Sequence, residues 1–427
     1  MPQNPLHKLS CLENGLWVAT AEMPWVFSVC VGIWVGIGSR YESADINGAT
    51  HFIEHMLFKG TKKRSAHKIS CEIEELGGHI NAWTSEENTC FHAIASANHF
   101  PHLLDVLVDM FHFSKFAKAD VDKEREVIKD EIAMYRDQPQ QYIEDLLNEA
   151  LWNHHPLGSP ITGTEESVDK LTRDLLLDFK ERNYTAPNTI IVVAGAVEHE
   201  TVLKEVEKYV RFFRKGERAK FERADTINWL PEIKICKREL EQTHVAIGFR
   251  GISRHNPGRF ALRVLNAIIA ENMSSRLFRM LRDEHGLVYN IYSSPSFVDD
   301  TGDWSLVAGM DDTNVIKTLR IIFNELKKLT EKKPSRSEIN IAKEFLIGQL
   351  LIGLETSESQ MNWLGEQLIG YRKITPVEEV IKRLREVSAE DIINVARTIF
   401  KPQNAALAII GPVNNQDELK KLVEILG

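Results

Sequence analysis

Two histidines and a glutamate form the part of the sequence best suited to chemistry. His51, Glu54 and His55 occur in the string His-Phe-Ile-Glu-His, which Asn47 or Thr50 would cap as a helix. On a helix, histidines four residues apart share one face, with Cβ atoms about 5–6 Å apart. Two neutral imidazoles on one turn supply half of a tetrahedral zinc site. The pattern therefore predicts a zinc site, with Glu54 beside it as a general base for water.

A third protein ligand is expected, since a catalytic zinc usually has three and leaves the fourth position to water. The candidate is Glu131, on a predicted helix over Glu124–Asp137. Glu124 lies seven residues earlier and therefore on the same face, beside the apolar Val127 and Ile128. A glutamate on a charged helix is more often a solvated surface residue. The residues alone therefore leave the role of Glu131 open.

The histidine motif is specific enough to suggest a family. A chance occurrence of H-x-x-E-H in a chain of this composition is on the order of one in a hundred, and the pattern is the inverzincin signature. With Glu131 at 131 − 55 = 76 residues after His55, the chain resembles the M16 family of zinc peptidases, particularly its bacterial and mitochondrial-processing-peptidase-like branch. The resemblance implies that His51, His55 and Glu131 bind Zn²⁺, that Glu54 is the general base, and that Glu124 supports a ligand histidine by hydrogen bonding.

A second segment extends the resemblance. Residues 77–89 are similar to the family's G-G-x-x-N-A-x-T strand, which lies at a sheet edge beside the zinc. There an extended peptide adds as a further strand through main-chain hydrogen bonds. The resemblance implies that Asn81, Ala82 and Thr84 bind substrate, and that Asn81 holds the substrate backbone. Taken by itself, Asn81 would be interpreted as a turn residue.

The second half of the chain carries a different pair of residues. Its segment 274–289 resembles the family pattern S-S-R-L-x4-R-E-x-x-G-L-x-Y, and it contains no H-x-x-E-H of its own. The resemblance implies that Arg282 and Tyr289 are catalytic residues that meet the substrate and the developing oxyanion. From the residues alone, Arg282 would be a surface charge and Tyr289 a core residue.

An internal repeat predicts the domain organisation. Segments 184–197 and 400–413 share Asn, Gly and Val at one offset (404 − 188 = 216), which is too long for a solenoid and indicates duplicated domains. We expect a zinc-bearing domain over 1–212, a linker over 213–230, and a second domain lacking the zinc motif over 231–427.

Apolar and amphipathic patterns predict the fold class. Strand-like apolar runs occur in each half, and amphipathic helices follow them. We therefore expect an α+β protein whose two homologous domains each contain a mostly antiparallel sheet covered by helices. The predicted strands are Val29–Gly38 and His244–Gly251, and the longest predicted helices are Glu124–Asp137, Pro139–Leu151, Thr313–Lys328 and Ser337–Gly353.

Composition excludes several classes of protein. The net charge of −9 over 427 residues argues against nucleic-acid binding. The five cysteines are scattered and contain no C-x-x-C pair, which favours a reducing compartment. No apolar run approaches the roughly 20 residues of a membrane span, and the first residues show no targeting signal. We expect a cytoplasmic protein that does not contact a membrane.

Together these features predict a zinc metalloendopeptidase that hydrolyses short or unfolded peptides. The resemblance further implies a homodimer that encloses a chamber. Two alternatives stay open: a non-catalytic core subunit of the same fold, and one half of an obligate heterodimeric peptidase. The residues expected to bind zinc and the Arg–Tyr pair both occur on this one chain, which disfavours each alternative.

Overall fold

The computed structural model describes residues 5–224, 230–413 and 416–427. Its Cα atoms group into two compact units, each made of three stretches of chain. Unit 1 consists of Met1–Ala133, Ser159–Glu222 and Ile352–Ile374. Unit 2 consists of Met134–Gly158, Arg223–Leu351 and Thr375–Gly427.

Both units combine strands and helices, which confirms the α+β prediction. The strands are β1 (Leu6–Cys11), β2 (Trp17–Glu22), β3 (Ser28–Val35), β4 (His79–Thr84), β5 (Thr89–Ser96), β6 (Thr189–Gly195), β7 (Ile233–Cys236), β8 (Thr243–Arg250), β9 (Asn290–Phe297), β10 (Gly302–Met310) and β11 (Ala405–Ile410). The helices are α1 (Ala49–Leu57), α2 (Ala66–Glu74), α3 (Phe100–Phe113), α4 (Lys118–Asp137), α5 (Pro139–Trp152), α6 (Glu165–Lys170), α7 (Arg173–Asn183), α8 (His199–Glu207), α9 (Arg259–Ile269), α10 (Val315–Glu331), α11 (Arg336–Gly353), α12 (Ser357–Tyr371), α13 (Val377–Glu386), α14 (Ala389–Ile399) and α15 (Gln416–Val423). A π-helical stretch covers Phe278–Glu284.

The sheet of unit 1 has an apolar layer on each face. Its strand order is β1-β2-β6-β3-β5-β4, and every pairing is antiparallel except that of β2 with β6. Along β6, Ile191 and Val193 join the larger core formed with α1, α3 and α7. The alternate residues Ile190 and Val192 face α12. Because both faces are covered, every residue of β6 is buried and the strand is an unbroken apolar run.

The sheet of unit 2 repeats this arrangement. Its order β7-β11-β8-β10-β9 matches β2-β6-β3-β5-β4, and here too the first pairing, β7 with β11, is parallel. One face packs on α9, α10 and α14; the other packs on α5. The shared strand order confirms the duplication that the repeat indicated.

Each sheet is covered on one face by a helix from the other half of the sequence. Helix α12, late in the chain, packs on β2, β3 and β6 of unit 1, and α5, early in the chain, packs on β7, β8 and β11 of unit 2. The expected domains 1–212 and 231–427 therefore coincide with the halves of the sequence but not with the compact units. The apolar face of α12 packs on the sheet of unit 1, and that of α5 packs on the sheet of unit 2. Domains defined as continuous stretches of sequence cannot represent this exchange.

The predicted linker 213–230 is only partly described, because 225–229 lie outside the described residues. Up to Glu222 it belongs to unit 1. Phe213 is buried in the core of that unit, and the ring of Phe221 lies 5.6 Å from that of Tyr41. The described part of this segment therefore packs against the rest of the protein and is not a free linker.

The predicted helices and strands agree with the structure to within a few residues, except that α4 begins six residues earlier than predicted, at Lys118. Within the described parts of the chain, no helix combines the length and the apolar composition needed to span a bilayer.

A glycine on α12 allows that helix to approach the sheet closely. A Cβ atom at Gly365 would overlap the indole ring of Trp34 on β3, and the Trp34 side chain is completely buried. We expect Gly365→Ala to destabilise the protein by about 1–3 kcal/mol, because a packed core resists added volume. Urea unfolding at equilibrium would measure this.

The matched control is Gly348→Ala on α11, where an added Cβ meets no atom within 4 Å. Alanine there should leave stability unchanged or raise it by about 0.5–1 kcal/mol, since glycine is the poorer helix former. Equal effects of the two substitutions would contradict the close packing of α12.

Candidate metal centre

A buried glutamate caps the start of the helix that carries the histidine motif. The carboxylate of Glu42 accepts hydrogen bonds from the backbone N–H groups of Gly48 at 2.7 Å and Thr50 at 2.6 Å. These donors have no partner within the helix. Burial raises the pKa of Glu42 to about 7, and the hydrogen bonds from Thr50 and Gly48 partly oppose this rise. Neither Asn47 nor Thr50, the predicted caps, caps α1 through its side chain. Glu42 does so from six residues upstream, a distance that capping patterns do not cover.

Three predicted ligands converge between α1 and α4. The Nε2 atoms of His51 and His55 lie 3.8 Å and 3.6 Å from Oε2 of Glu131. Ligand atoms of the three residues all lie within 4.8 Å of one another, and within the described ranges this is the one such group of three or more. Bound at roughly 2.0–2.1 Å in a tetrahedron, zinc would place neighbouring ligands about 3.3 Å apart. The observed separations therefore fit the ion after small movements.

The protonation state of His51 also suits metal binding. Burial, with the neighbouring His55 adding to it, lowers the pKa of His51 to about 3. Its imidazole is therefore neutral at physiological pH and has a nitrogen lone pair to offer, as a metal ligand requires. The donor set fits zinc in both geometry and chemistry.

Glu124 orients the second histidine. Its Oε1 lies 2.8 Å from Nδ1 of His55, and its side chain is 3% exposed. Burial acts to raise the pKa of Glu124, but the hydrogen bonds from His55 and Lys59 outweigh it and hold that pKa below the ordinary value. Because an ionised carboxylate only accepts, the proton of His55 resides on Nδ1, and Nε2 is the nitrogen that faces Glu131.

The two histidines are held in different ways. Nδ1 of His51 is buried and has no hydrogen-bond partner among the described residues. The side chain of His51 is largely buried and its ring meets that of His55 edge to face, with centroids 4.5 Å apart, so packing rather than hydrogen bonding holds this ring.

Glu54 lies on the same helix with its own partner. The hydroxyl of Thr84 on β4 donates to Oε2 of Glu54 at 2.6 Å. Burial raises the pKa of Glu54, and the hydrogen bond from Thr84 only partly opposes this. A glutamate whose pKa is raised towards neutrality is a better proton acceptor and donor near pH 7. Thr84, predicted as a substrate-binding residue, thus contacts the predicted base.

The strand that carries Thr84 is the free edge of its sheet. Ser85 N–H donates to Asn88 at the adjoining turn at 2.8 Å; by antiparallel alternation, the N–H of Ala82 then points away from β5 towards the open edge. The side-chain oxygen of Asn81 accepts from that N–H at 2.9 Å. In this structure Asn81 therefore covers an edge donor of its own strand. Its predicted contact with a substrate backbone stays a prediction.

Lys59 is a component of the site that sequence reasoning missed. Its Nζ lies 2.6 Å from Oε2 of Glu124. The available signal was its spacing, because Lys59 follows His55 by four residues and so continues the same helical face just beyond the end of α1.

Comparison with known proteins gives matches along most of the chain. The family model described as insulinase (peptidase family M16) matches residues 17–165, and the model described as the peptidase M16 inactive domain matches residues 170–346. A relative from Bacillus subtilis, "Uncharacterized zinc protease YmxG", is 35% identical over 94% of this chain and 98% of its own length. A relative from Mycobacterium tuberculosis, also named an uncharacterized zinc protease, is 35% identical over 96% of this chain and 94% of its own.

The chain belongs to peptidase family M16.

Solved structures show the same fold for this M16 member. A protease from Helicobacter pylori superposes with a TM-score of 0.88 at 19% identity, covering 96% of this chain and 100% of that one. A peptidase M16 inactive domain from Pseudomonas fluorescens gives a TM-score of 0.88 at 17% identity, covering 96% and 98%.

The predicted residues of the second half lie in unit 2 of the M16 chain. Arg282 is in the π-helical stretch, with its guanidinium 5.1 Å from the ring of Phe278. Tyr289 is 57% exposed, not the core residue that its type alone suggests. Arg276, from the same motif, pairs with Glu325 and Glu338 inside unit 2. The catalytic roles of Arg282 and Tyr289 stay predictions.

We expect Glu131→Gln to abolish stoichiometric zinc binding. A neutral carboxamide is a poor zinc ligand, and two histidines alone do not make a closed site. Metal analysis after gel filtration should find about one zinc per wild-type chain and far less in the variant. The matched control is Glu126→Gln on the same helix, whose side chain is 70% exposed. Equal zinc content in both variants would contradict the ligand assignment.

Proposed function

We propose that this M16 member is a zinc metalloendopeptidase that hydrolyses extended peptides at the site formed by His51, His55 and Glu131. One observation carries the proposal. Two imidazole nitrogens and a carboxylate oxygen lie within 4.8 Å of one another, and Glu54 lies one helical turn from His51. The zinc named in the descriptions of the relatives supports the choice of metal.

Zinc bound by these residues would supply Lewis-acid polarisation of the scissile carbonyl and a lowered pKa for a water molecule. The protein supplies the rest. Glu54 takes a proton from the attacking water at its carboxylate and later gives it to the leaving amine nitrogen. Thr84 holds Oε2 of Glu54, which fixes the direction of Oε1. Burial raises the pKa of Glu54, which suits a group that must both accept and release the proton.

The free edge of β4 offers main-chain groups with which an extended peptide substrate could pair. The N–H and C=O groups of Ile80, Ala82 and Thr84 face the open edge by the same alternation that places Ala82 there. A peptide pairing with this edge would exchange main-chain hydrogen bonds irrespective of its sequence. Thr84 ends the strand and contacts Glu54, so the paired peptide would run towards the base. Before a peptide can pair with Ala82, the hydrogen bond from the N–H of Ala82 to the side-chain oxygen of Asn81 must break.

We expect Glu54→Gln to lower kcat/KM for a quenched fluorescent peptide of about ten residues by roughly 10²–10⁴-fold. The amide cannot accept the proton, but Glu54 is not a proposed ligand, so zinc content should equal that of wild type. Removing zinc from wild type with a chelator should abolish turnover, and adding zinc back should restore it.

Other outcomes of this experiment separate the alternatives. Loss of zinc in Glu54→Gln would contradict the assignment of Glu54 as base rather than ligand. No turnover by zinc-loaded wild type across a varied peptide library would favour a non-catalytic subunit or a chain that requires a partner. The homodimer and the closed chamber stay predictions from the resemblance; equal cleavage of casein and of a native globular protein would count against a chamber.

We expect Ala82→Pro to lower kcat/KM for peptides by about 3–10-fold, the equivalent of one hydrogen bond. Proline removes the edge N–H and leaves the ladder to β5 intact, and edge strands tolerate it. The control is Ala82→Val, which keeps the N–H and suits a strand. If the proline and valine variants cleave alike with equal zinc content, pairing at this edge does not contribute to substrate binding.

A further inference from the structure

A lysine lies directly behind the histidine–glutamate pair. Nζ of Lys59 is 2.6 Å from Oε2 of Glu124, while Oε1 of the same carboxylate is 2.8 Å from Nδ1 of His55. The carboxylate therefore has one partner on each oxygen. A carboxylate held at both oxygens has its plane and its direction fixed, and with them the direction of the hydrogen bond to the histidine.

Burial makes this ion pair different from an ordinary surface contact. The side chain of Glu124 is 3% exposed and that of Lys59 is 35% exposed. Exposed pairs contribute little because water screens them. Here Glu124 is withdrawn from water, so loss of Lys59 would remove the cation from a buried carboxylate and leave it the hydrogen bond from His55.

Hydrogen bonds on both sides of Lys59 anchor the backbone from which its side chain extends. Its backbone N–H continues the end of α1 by donating to Met56 at 3.2 Å. The next residue, Gly60, has φ +107°, a conformation that favours glycine. The carbonyl of Gly60 accepts from the N–H of Lys115 at 3.0 Å. The turn after Lys59 is thus tied to the segment that leads into α4, the helix that carries Glu124.

A buried polar network fixes the far side of the same turn. Thr61 is buried, and its hydroxyl donates to Asp109 of α3 at 2.6 Å. Arg64 donates to the same oxygen of Asp109 at 2.9 Å, and its backbone carbonyl accepts from Thr61 at 2.8 Å. These contacts anchor the turn that follows Lys59 to α3.

We propose that Lys59 is a positioning residue of the zinc site: it anchors Glu124 so that Glu124 orients Nε2 of His55 towards the metal. This inference rests on the proposed function for the metal itself. Lys59 contacts neither a proposed ligand nor the general base, so its effect passes through Glu124. Partners of this kind behind metal ligands typically change metal affinity by about 10–100-fold.

The test is the zinc dissociation constant of the full-length chain, measured by competition with a fluorescent zinc chelator. Lys59→Met should weaken zinc binding by about tenfold or more. Lys59→Arg should retain most of the affinity, since a guanidinium also donates to a carboxylate. Lys62→Met is the matched control, because Lys62 is an exposed lysine in the same turn; it should bind zinc as wild type does.

A double-mutant cycle separates an effect through Glu124 from any other. Glu124→Gln alone should weaken zinc binding by about 10–100-fold. Adding Lys59→Met to Glu124→Gln should then change the affinity little, because residues acting through one contact are not additive. Circular dichroism and thermal unfolding in chelator check that each variant folds, and Lys59→Leu, which also lacks a donor, replaces Lys59→Met if the latter unfolds.

The outcomes are distinct. Wild-type affinity in Lys59→Met or Lys59→Leu, or an equal loss of affinity with and without Glu124, would overturn the role of Lys59 and leave the proposed function standing. A wild-type chain that binds no zinc would overturn the proposed function and the inference together. A loss of affinity that arginine restores and that vanishes in the Glu124→Gln background supports the inference.

Discussion

The hydrogen bond between His55 and Glu124 joins the two helices that carry the proposed zinc ligands. Glu131 lies on α4 two turns after Glu124, so the position of Glu124 against α1 also sets that of the third ligand. The same helices meet in the core of unit 1, where Phe52 and Ile53 of α1 pack in one cluster with Ile128 and Ile132 of α4. Packing sets the distance between the helices, and the hydrogen bond sets the direction of the imidazole. Each would be insufficient without the other, since close packing tolerates small rotations that a metal site does not.

The proposed base depends on a third element, the edge strand β4, and that strand is positioned from behind. Trp83 of β4 meets Trp34 of β3 edge to face, with ring centroids 5.0 Å apart. Trp34 in turn packs on Gly365 of α12, and its indole N–H points to the sulfur of Met361 at 3.1 Å. A helix from the end of the chain thus supports the strand from which Thr84 reaches Glu54. The packing of α12 in unit 1 therefore affects the proposed site as well as the core.

Helical periodicity was sufficient to predict that His51 and His55 share a face, and repeat analysis was sufficient to predict two duplicated α+β halves, because both are local or pairwise properties of the sequence. The third ligand required the family resemblance, since the burial of Glu131 depends on how α4 packs against α1. Spacing indicates that Lys59 shares a helical face with His55, but it does not identify the distant residue that a side chain contacts. Thr84 and Glu54 are 30 positions apart, and Lys59 and Glu124 are 124 − 59 = 65 apart. The exchange of α5 and α12 was unpredictable for the same reason, because an amphipathic helix does not specify which of two similar sheets it will cover.

Three glutamates surround the site, and their surroundings rather than their chemistry divide the roles among them. Glu124 is buried, yet partners on both oxygens keep it an anion, so it has no oxygen left to accept a proton from water. Glu131 lies with one oxygen facing both histidine Nε2 atoms, which is the place of a ligand. Glu54 has a single partner, Thr84, among the described residues, and burial raises its pKa. Glu54 combines an open oxygen with a raised pKa, and these are the two properties that a general base needs.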